Sequence, residues 1–259
     1  MSTSLPIAGG GTGAASFAVP APAEQKRHHG LVRMTHWLTV IAFCALLVSG
    51  GEIVLSHPRF YWGKTGNVNT RPWLNLHLPS SRSSVPTGYG YVLPDQNGWS
   101  RYLHFEAAWL LAGTGVLYGL WGILTGHFRR AVVPDPRDLS PKSLTASIVR
   151  HTRFVRPSAD EAWSYNVLQR LAYLAVIFVL FPLMVWSGLA MSFAFTSAFP
   201  LTASLLGGHQ TARSLHFLTT ILLVGFLAVH VGMVVLSGFR SRTRAMITGH
   251  AEKPQQEES

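Results

Sequence analysis

The sequence predicts an all-α, integral membrane four-helix bundle, and three observations carry that prediction. Hydrophobic residues make up 48% of the 259-residue chain and charged residues only 12%, with a mean hydropathy of +0.25. The apolar residues gather in four blocks, at about 35–55, 104–126, 168–191 and 212–237, each long enough to cross a hydrocarbon layer of about 30 Å. The stretch Leu215 to Leu236 contains two histidines, His216 and His230, but no Asp, Glu, Lys or Arg. Ionisable rings in such a segment are costly unless something binds them.

Taken in order, residues 1–29 are predicted as a disordered cytoplasmic tail. Positions 1–24 are rich in Ala, Gly, Ser, Thr and Pro and carry no basic residue, so they lack the positive start and apolar core of a secretory signal. The four-span domain occupies 30–245, and its first span holds Cys44, the single cysteine. One cysteine excludes a disulfide framework and a Cys-X-X-Cys site. A long loop over 56–103 leads to the second span, which contains Gly113, Gly115, Gly119 and Gly122. A basic loop, 127–167, precedes the third span. The fourth span is followed by a second polar tail, 246–259.

Lys and Arg set the expected orientation. Lys26, Arg27 and Arg33 precede the first span; Arg129, Arg130, Arg137, Lys142, Arg150, Arg153 and Arg156 lie between the second and third; Arg240, Arg242, Arg244 and Lys253 follow the fourth. Four crossings put all of these on one side, leaving Arg59, Lys64, Arg71, Arg82, Arg101 and Arg213 opposite. The positive-inside rule therefore places both termini in the cytoplasm of a bacterial inner membrane. The net charge of +10 is explained by contact with membrane lipid rather than nucleic acid, for which no basic face on a soluble module is visible.

The histidines then fall at two depths. His216 and His230 are about 21 Å apart along a helix and return to nearly the same face. His36 opens the first span and matches His230 in depth; His104 opens the second and matches His216. Two depth-matched imidazole pairs predict two stacked b haems, each iron held by two axial histidines: His36 with His230, and His104 with His216. Fully ligated iron favours electron transfer over oxygen chemistry. The other histidines, His28, His29, His57, His77, His151, His209 and His250, fall in loops or tails. His127, at the cytoplasmic end of the second span, is read as interfacial, with contact to a quinone or a haem propionate as the alternative.

Two further readings stay open on residues alone. The glycines of the second span and Gly225 midway between His216 and His230 suit either clearance for a flat macrocycle or small-residue helix packing. Arg33 and Arg101, each just before a histidine, suit either a haem propionate or interfacial anchoring. Glu52 and Glu106 are expected to pair with Arg101 or to face a propionate.

The motifs Arg33-Met34-Thr35-His36-Trp37, His104-Phe105-Glu106 and His216 with His230 resemble the bacterial cytochrome b561-like family, which includes the membrane cytochrome b subunits of formate dehydrogenase, nickel–iron hydrogenase and thiosulfate reductase. The resemblance covers about 30–245 and implies the same two haem b groups on the same four histidines. The loop from Tyr61 to His104 is most similar to the thiosulfate-reductase branch, and it is longer than in the formate dehydrogenase subunit. That branch implies a periplasmic redox partner of the molybdopterin oxidoreductase class, and a quinone (menaquinone or ubiquinone) as diffusible substrate near His36, Trp37, His127 and the start of the 127–167 loop. The loop aromatics Trp62, Trp73, Tyr89, Tyr91 and Trp99 are expected to dock the partner or to cover the outer haem edge. No catalytic nucleophile or acid–base pair is visible, so small-substrate chemistry falls to a partner. A stand-alone quinol-oxidising cytochrome, a haem-free transporter or a membrane anchor are the competing readings, and dimerisation is open.

Overall fold

The structure, a computed structural model, describes residues 24–26, 28–66, 69–78, 96–134 and 167–252, together with 139, 140, 145 and 149. Helix α1 (Gly30–Ser56) and helix α2 (Gln96–Leu124) form a first hairpin. The third crossing is composite: α3 (Val167–Ala175), a π-helical turn over Val176–Leu180, and α4 (Phe181–Met191). Two short helices, α5 (Phe193–Ala198) and α6 (Leu201–Ser204), turn the chain into α7 (His209–Leu236), and α8 (Phe239–Thr248) follows it.

Four segments are long and apolar enough to cross a membrane: Gly30–Ser56, Gly98–Leu124, Val167–Met191 and His209–Leu236. They coincide with the four predicted blocks but begin earlier, by the greatest margin in the first two. Hydropathy marks only the apolar part of a helix, whereas backbone hydrogen bonding carries the helix on into polar residues at its ends. At the start of α1 the His29 ring accepts from the Leu31 N–H at 3.2 Å, capping a donor that would otherwise have no intrahelical partner. The π turn of the third crossing lies next to Pro182, at the start of α4. Proline has no N–H and its ring crowds the carbonyl four residues back, so the register loosens there without ending the helix.

Hydroxyls inside the spans satisfy themselves on their own helices. Thr35 donates to Leu31 at 2.9 Å, Ser49 to Ala45 at 2.7 Å, Thr219 to Leu215 at 2.7 Å and Thr220 to His216 at 2.9 Å. This back-bonding is how a Ser or Thr is tolerated where water is absent. Close backbone packing runs within two hairpins, α1 on α2 and α4 on α7. Small residues allow the second of these to close: Ala190, Ala203 and Ala212 form a fully packed cluster at its loop-side end.

The loop between α1 and α2 is anchored on α7. The Arg59–Phe60 strand pairs antiparallel with the Leu74–Asn75 strand. The Gly63 carbonyl accepts from the N–H groups of Gln210 and Thr211 at 3.1 and 3.2 Å, capping the N-terminus of α7. Ser214, fully buried, accepts from the Trp73 indole at 2.9 Å and donates to the Tyr61 carbonyl at 2.7 Å. Arg213 donates to the carbonyls of His57 and Arg59 at 2.5 and 2.9 Å and lies 5.0 Å from the Phe60 ring centre. Arg82, Tyr89 and Tyr91 lie outside the described residues, as do Arg27, Arg137, Lys142, Arg150, His151, Arg153, Arg156 and Lys253.

Both tail boundaries shift. Residues 24–26, expected in a disordered tail, form a strand that pairs antiparallel with 250–252, and the His28 N–H reaches the Gly249 carbonyl at 3.3 Å. Helix α8 and its Gly249 cap, at φ +89°, bring the two ends of the domain together. Backbone pairing of this kind depends on where α1 and α8 end, not on a hydrophobic pattern, so the polar tails gave no sign of it.

The close approach of loop and helix yields a prediction. Gly208 has φ +113°, and a β-carbon there would stand 2.7 Å from the Gly63 oxygen. Gly208→Ala is therefore expected to destabilise the loop more than Ser214→Ala, whose loss of two buried hydrogen bonds costs about 1–3 kcal/mol. Thermal unfolding in detergent, with limited proteolysis of the 57–78 segment, reads both; equal stability of Gly208→Ala and parent contradicts this packing.

Candidate functional site

Each hairpin presents a histidine to the other. On the side of the 57–78 loop, His104 of α2 and His216 of α7 face one another with ring centres 6.2 Å apart and planes at 59°. An iron–imidazole bond of about 2 Å on each side, with about 1.1 Å from nitrogen to ring centre, spans nearly the same distance. The gap is thus the size that a single shared metal ion requires.

Hydrogen bonds fix which nitrogens face the gap. Ser49 of α1 lies 3.1 Å from Nδ1 of His104, and Ser187 of α4 lies 3.0 Å from Nδ1 of His216. Both serine hydroxyls already donate to backbone carbonyls, Ser49 to Ala45 and Ser187 to Met184 at 3.1 Å. Each oxygen is therefore left as an acceptor, so Nδ1 carries the proton and Nε2 offers its lone pair. A glycine follows each serine. A β-carbon at Gly50 would stand 3.5 Å from Cε1 of His104, and one at Gly188 would stand 3.5 Å from Cε1 of His216.

The second pair lies toward the termini. From Ser49 down to His36 is about 20 Å of helix, and from His216 down to His230 about 21 Å, so the two rings are level. His230 stacks on Phe226 at 5.8 Å and meets the edge of Tyr173 at 6.4 Å. His36 is set edge-on to Trp37 at 5.3 Å, and its Nδ1 is buried with no hydrogen-bond partner among the described residues. The donor set of both pairs, neutral imidazoles level with one another across the gap between hairpins, fits haem iron held by two axial histidines.

The structure separates the two readings for most of these glycines; Gly119, with nothing within 4 Å of a β-carbon position and about 60° from the face of His104, suits both. On α2, Gly115 and Gly122 lie on the face of His104, and a β-carbon at either would collide with a phenylalanine ring, Phe181 and Phe128 respectively. These two serve packing. Gly113 and Gly225 have nothing within 4 Å of a β-carbon position, but nine residues at about 100° each turn them half a revolution away from His104 and His216. Gly225 therefore does not clear space on the histidine face; Leu223, seven residues from both His216 and His230, occupies that face and is buried. The glycines that touch histidine rings are Gly50 and Gly188, and the signal for them was a Ser-Gly dipeptide recurring late in the first and third spans.

The expected anionic and cationic partners fall elsewhere. Arg33 donates to the Ile247 carbonyl at the end of α8, where cations suit a helix C-terminus, and its Nε is buried without a partner among the described residues. Arg101 is exposed, and among the described residues no ion pair joins it to Glu52 or Glu106. Beside His36, a groove of about 270 Å³ is lined by Gly30, Arg33, Met34, Trp37, Met246 and Ile247, with the Trp37 indole donating to the Met246 carbonyl at 3.2 Å. His127 packs among Tyr118, Trp121 and Phe128, its ring 4.9 Å from that of Trp121. His209 lies against Phe193 at 5.0 Å, and the His57 carbonyl serves Arg213. Neither histidine joins a pair.

Comparison with known proteins bears on the chain as a whole. Residues 27–249 match the family described as prokaryotic cytochrome b561. A chain from Azospira oryzae, provisionally named as a protein-methionine-sulfoxide reductase subunit, YedZ1, is 31% identical over 229 residues, covering 86% of this chain and 96% of its own length. No solved structure is similar enough to count as a match.

Burial, then the charges of Arg130 and His29, holds His127 below the ordinary imidazole value of 6.5. The unfolded chain takes up a proton there before the folded chain does, so folding stability falls as pH drops below about 6.5 and is unaffected above it. His127→Gln is expected to remove part of the fall in unfolding temperature between about pH 7.5 and about pH 5.5; an unchanged fall contradicts the burial of this ring.

Proposed function

We propose that this chain, which belongs to the prokaryotic cytochrome b561 family, is a two-haem membrane cytochrome that carries electrons from quinol to a reductase outside the membrane. Family membership makes it a multi-pass membrane protein of the electron-transfer type and implies haem b. The observation that carries the finer reading is the loop-side pair, whose rings face at 6.2 Å with each Nδ1 held by a serine.

When bound, haem b supplies iron that accepts and releases one electron at a time. His104 and His216 would hold one haem, and His36 and His230 the other. The chain's own residues set the spacing: α7 carries one ligand of each pair, so the two sites are fixed about 20 Å apart on one rigid element. Leu223, buried between them, excludes water from the histidine face. The basic ends near the termini, with Arg129, Arg130, Arg240, Arg242 and Arg244, support a cytoplasmic location for both tails and a periplasmic one for the loop.

The groove beside His36 is where we assign quinol, and the Trp37 and Met34 side chains would receive its ring. On the opposite side, the cap formed by Phe60, Trp62 and Trp73 is where we assign the redox partner. Phe60 stacks on Phe217 at 4.3 Å and Trp62 on Trp73 at 5.2 Å, next to the loop-side pair. By the name of the Azospira relative, that partner is a protein-methionine-sulfoxide reductase, and the resemblance drawn above makes it a molybdopterin enzyme. Reducing a sulfoxide to a sulfide and water consumes two electrons and two protons, which orients electron flow from quinol outward.

Histidine substitution tests the pairing. His104→Ala and His216→Ala are each expected to remove one b haem, and the same one; His36→Ala and His230→Ala are each expected to remove the other. Potentiometric titration of the reduced-minus-oxidised absorbance distinguishes the two. Loss of the same haem from His36→Ala and His216→Ala overturns the assignment.

A further inference from the structure

We infer that Ser49 and Ser187 are positioning residues for the loop-side haem, each fixing its histidine as the Nδ1–H tautomer and strengthening electron donation from the opposite nitrogen. The inference rests on the two-haem reading above and adds to it a pair of residues outside the ligand set.

The case is built from a local repeat. Ser49-Gly50 on α1 faces His104 on α2; Ser187-Gly188 on α4 faces His216 on α7. Both serines are 0% exposed, both donate to a carbonyl of their own helix, and both present the remaining oxygen lone pairs to Nδ1. In both, the following glycine leaves 3.5 Å between a β-carbon position and the Cε1 atom of the same ring. A buried serine that merely back-bonds to its helix is common in membrane spans, and that accounts for the donated proton. It does not account for two serines on different hairpins meeting the same atom of two facing histidines, each with a glycine whose β-carbon position lies at van der Waals contact with that ring.

The terminal-side pair has no such arrangement. Nδ1 of His36 is buried without a partner, and no serine bonds the ring of His230 among the described residues. The chemical consequence follows from the acceptor. A hydrogen bond taken from Nδ1–H pushes electron density toward Nε2, favours the oxidised iron and lowers its reduction potential. The two sites thus differ in this bond although all four ligands are histidine. The chain sets the potential of one site independently of the other.

The test uses the full-length protein purified with its haem, in the forms Ser49→Ala, Ser187→Ala, the double variant, and Ser49→Thr and Ser187→Thr, which keep the hydroxyl. Haem content and the two midpoint potentials are measured, and a His104→Ala sample identifies the loop-side midpoint. The expected result is a rise of the loop-side midpoint in each alanine variant, a larger rise in the double variant, an unmoved terminal-side midpoint, and near-parent values in the threonine forms. If an alanine variant instead loses the loop-side haem while its threonine counterpart retains it, the positioning role is again supported. Two haems with unmoved midpoints in the double variant overturn it and leave the two-haem reading intact, as does equal movement of both midpoints. Loss of haem from alanine and threonine forms alike also overturns it, since packing then explains the serines. A parent protein without haem overturns the reading on which the inference rests.

Discussion

An imidazole in a membrane-spanning helix must have both of its nitrogens satisfied, because no water is present to serve them. The loop-side pair, His104 and His216, is arranged around that demand, whereas Nδ1 of His36 at the other end has no partner among the described residues. Each hairpin supplies a serine for Nδ1 of its own histidine and turns the other nitrogen toward the opposite hairpin. The rings of His104 and His216 then stand 6.2 Å apart with their planes at 59°. Small residues lie around them: Gly50 and Gly188 border the rings, and the cluster of Ala190, Ala203 and Ala212 lets α4 and α7 close enough for Ser187 to reach.

Much of this was legible in the amino-acid sequence. Four long apolar blocks, each with a single charged residue near one end, admit few alternatives to helices in lipid, and a fourteen-residue separation of histidines returns to the same face within about 40° of ideal. Both are one-dimensional signals, and both survive folding. What was not legible depends on facing elements. Gly225 suited clearance as well as packing because it lies midway between His216 and His230 in number, yet helical phase turns it away and gives the seat to Leu223. Ser49 and Ser187 passed unnoticed because a serine in a span ordinarily serves its own backbone, and only the facing histidine gives it a second role. Arg33 reached the end of α8 rather than a histidine neighbour, a contact across 214 positions that no local pattern announces. The pairing of 24–26 with 250–252 is of the same kind.

The loop over α7 joins fold and function. Its carbonyls cap the helix at Gln210 and Thr211, Arg213 secures its entry, and Ser214 ties Trp73 and Tyr61 down one turn from His216. Any partner that docks on this cap would sit on an element whose position is set by the same helix that carries His216 and His230. At the other end, Arg33, Met34 and Trp37 of α1 line a groove with Met246 and Ile247 of α8, where we assign the quinol. A membrane cytochrome needs such a division: two exits at different depths, insulated from each other, with exchange partners of different size at each.

The most direct test of the central claim is a pyridine haemochrome count, taken with a reduced-minus-oxidised spectrum, on the detergent-purified parent protein. The account predicts about two b haems per chain, with the spectrum of iron ligated on both faces. A chain that purifies folded and carries no haem contradicts it, and the facing histidines then have to be explained by helix packing alone.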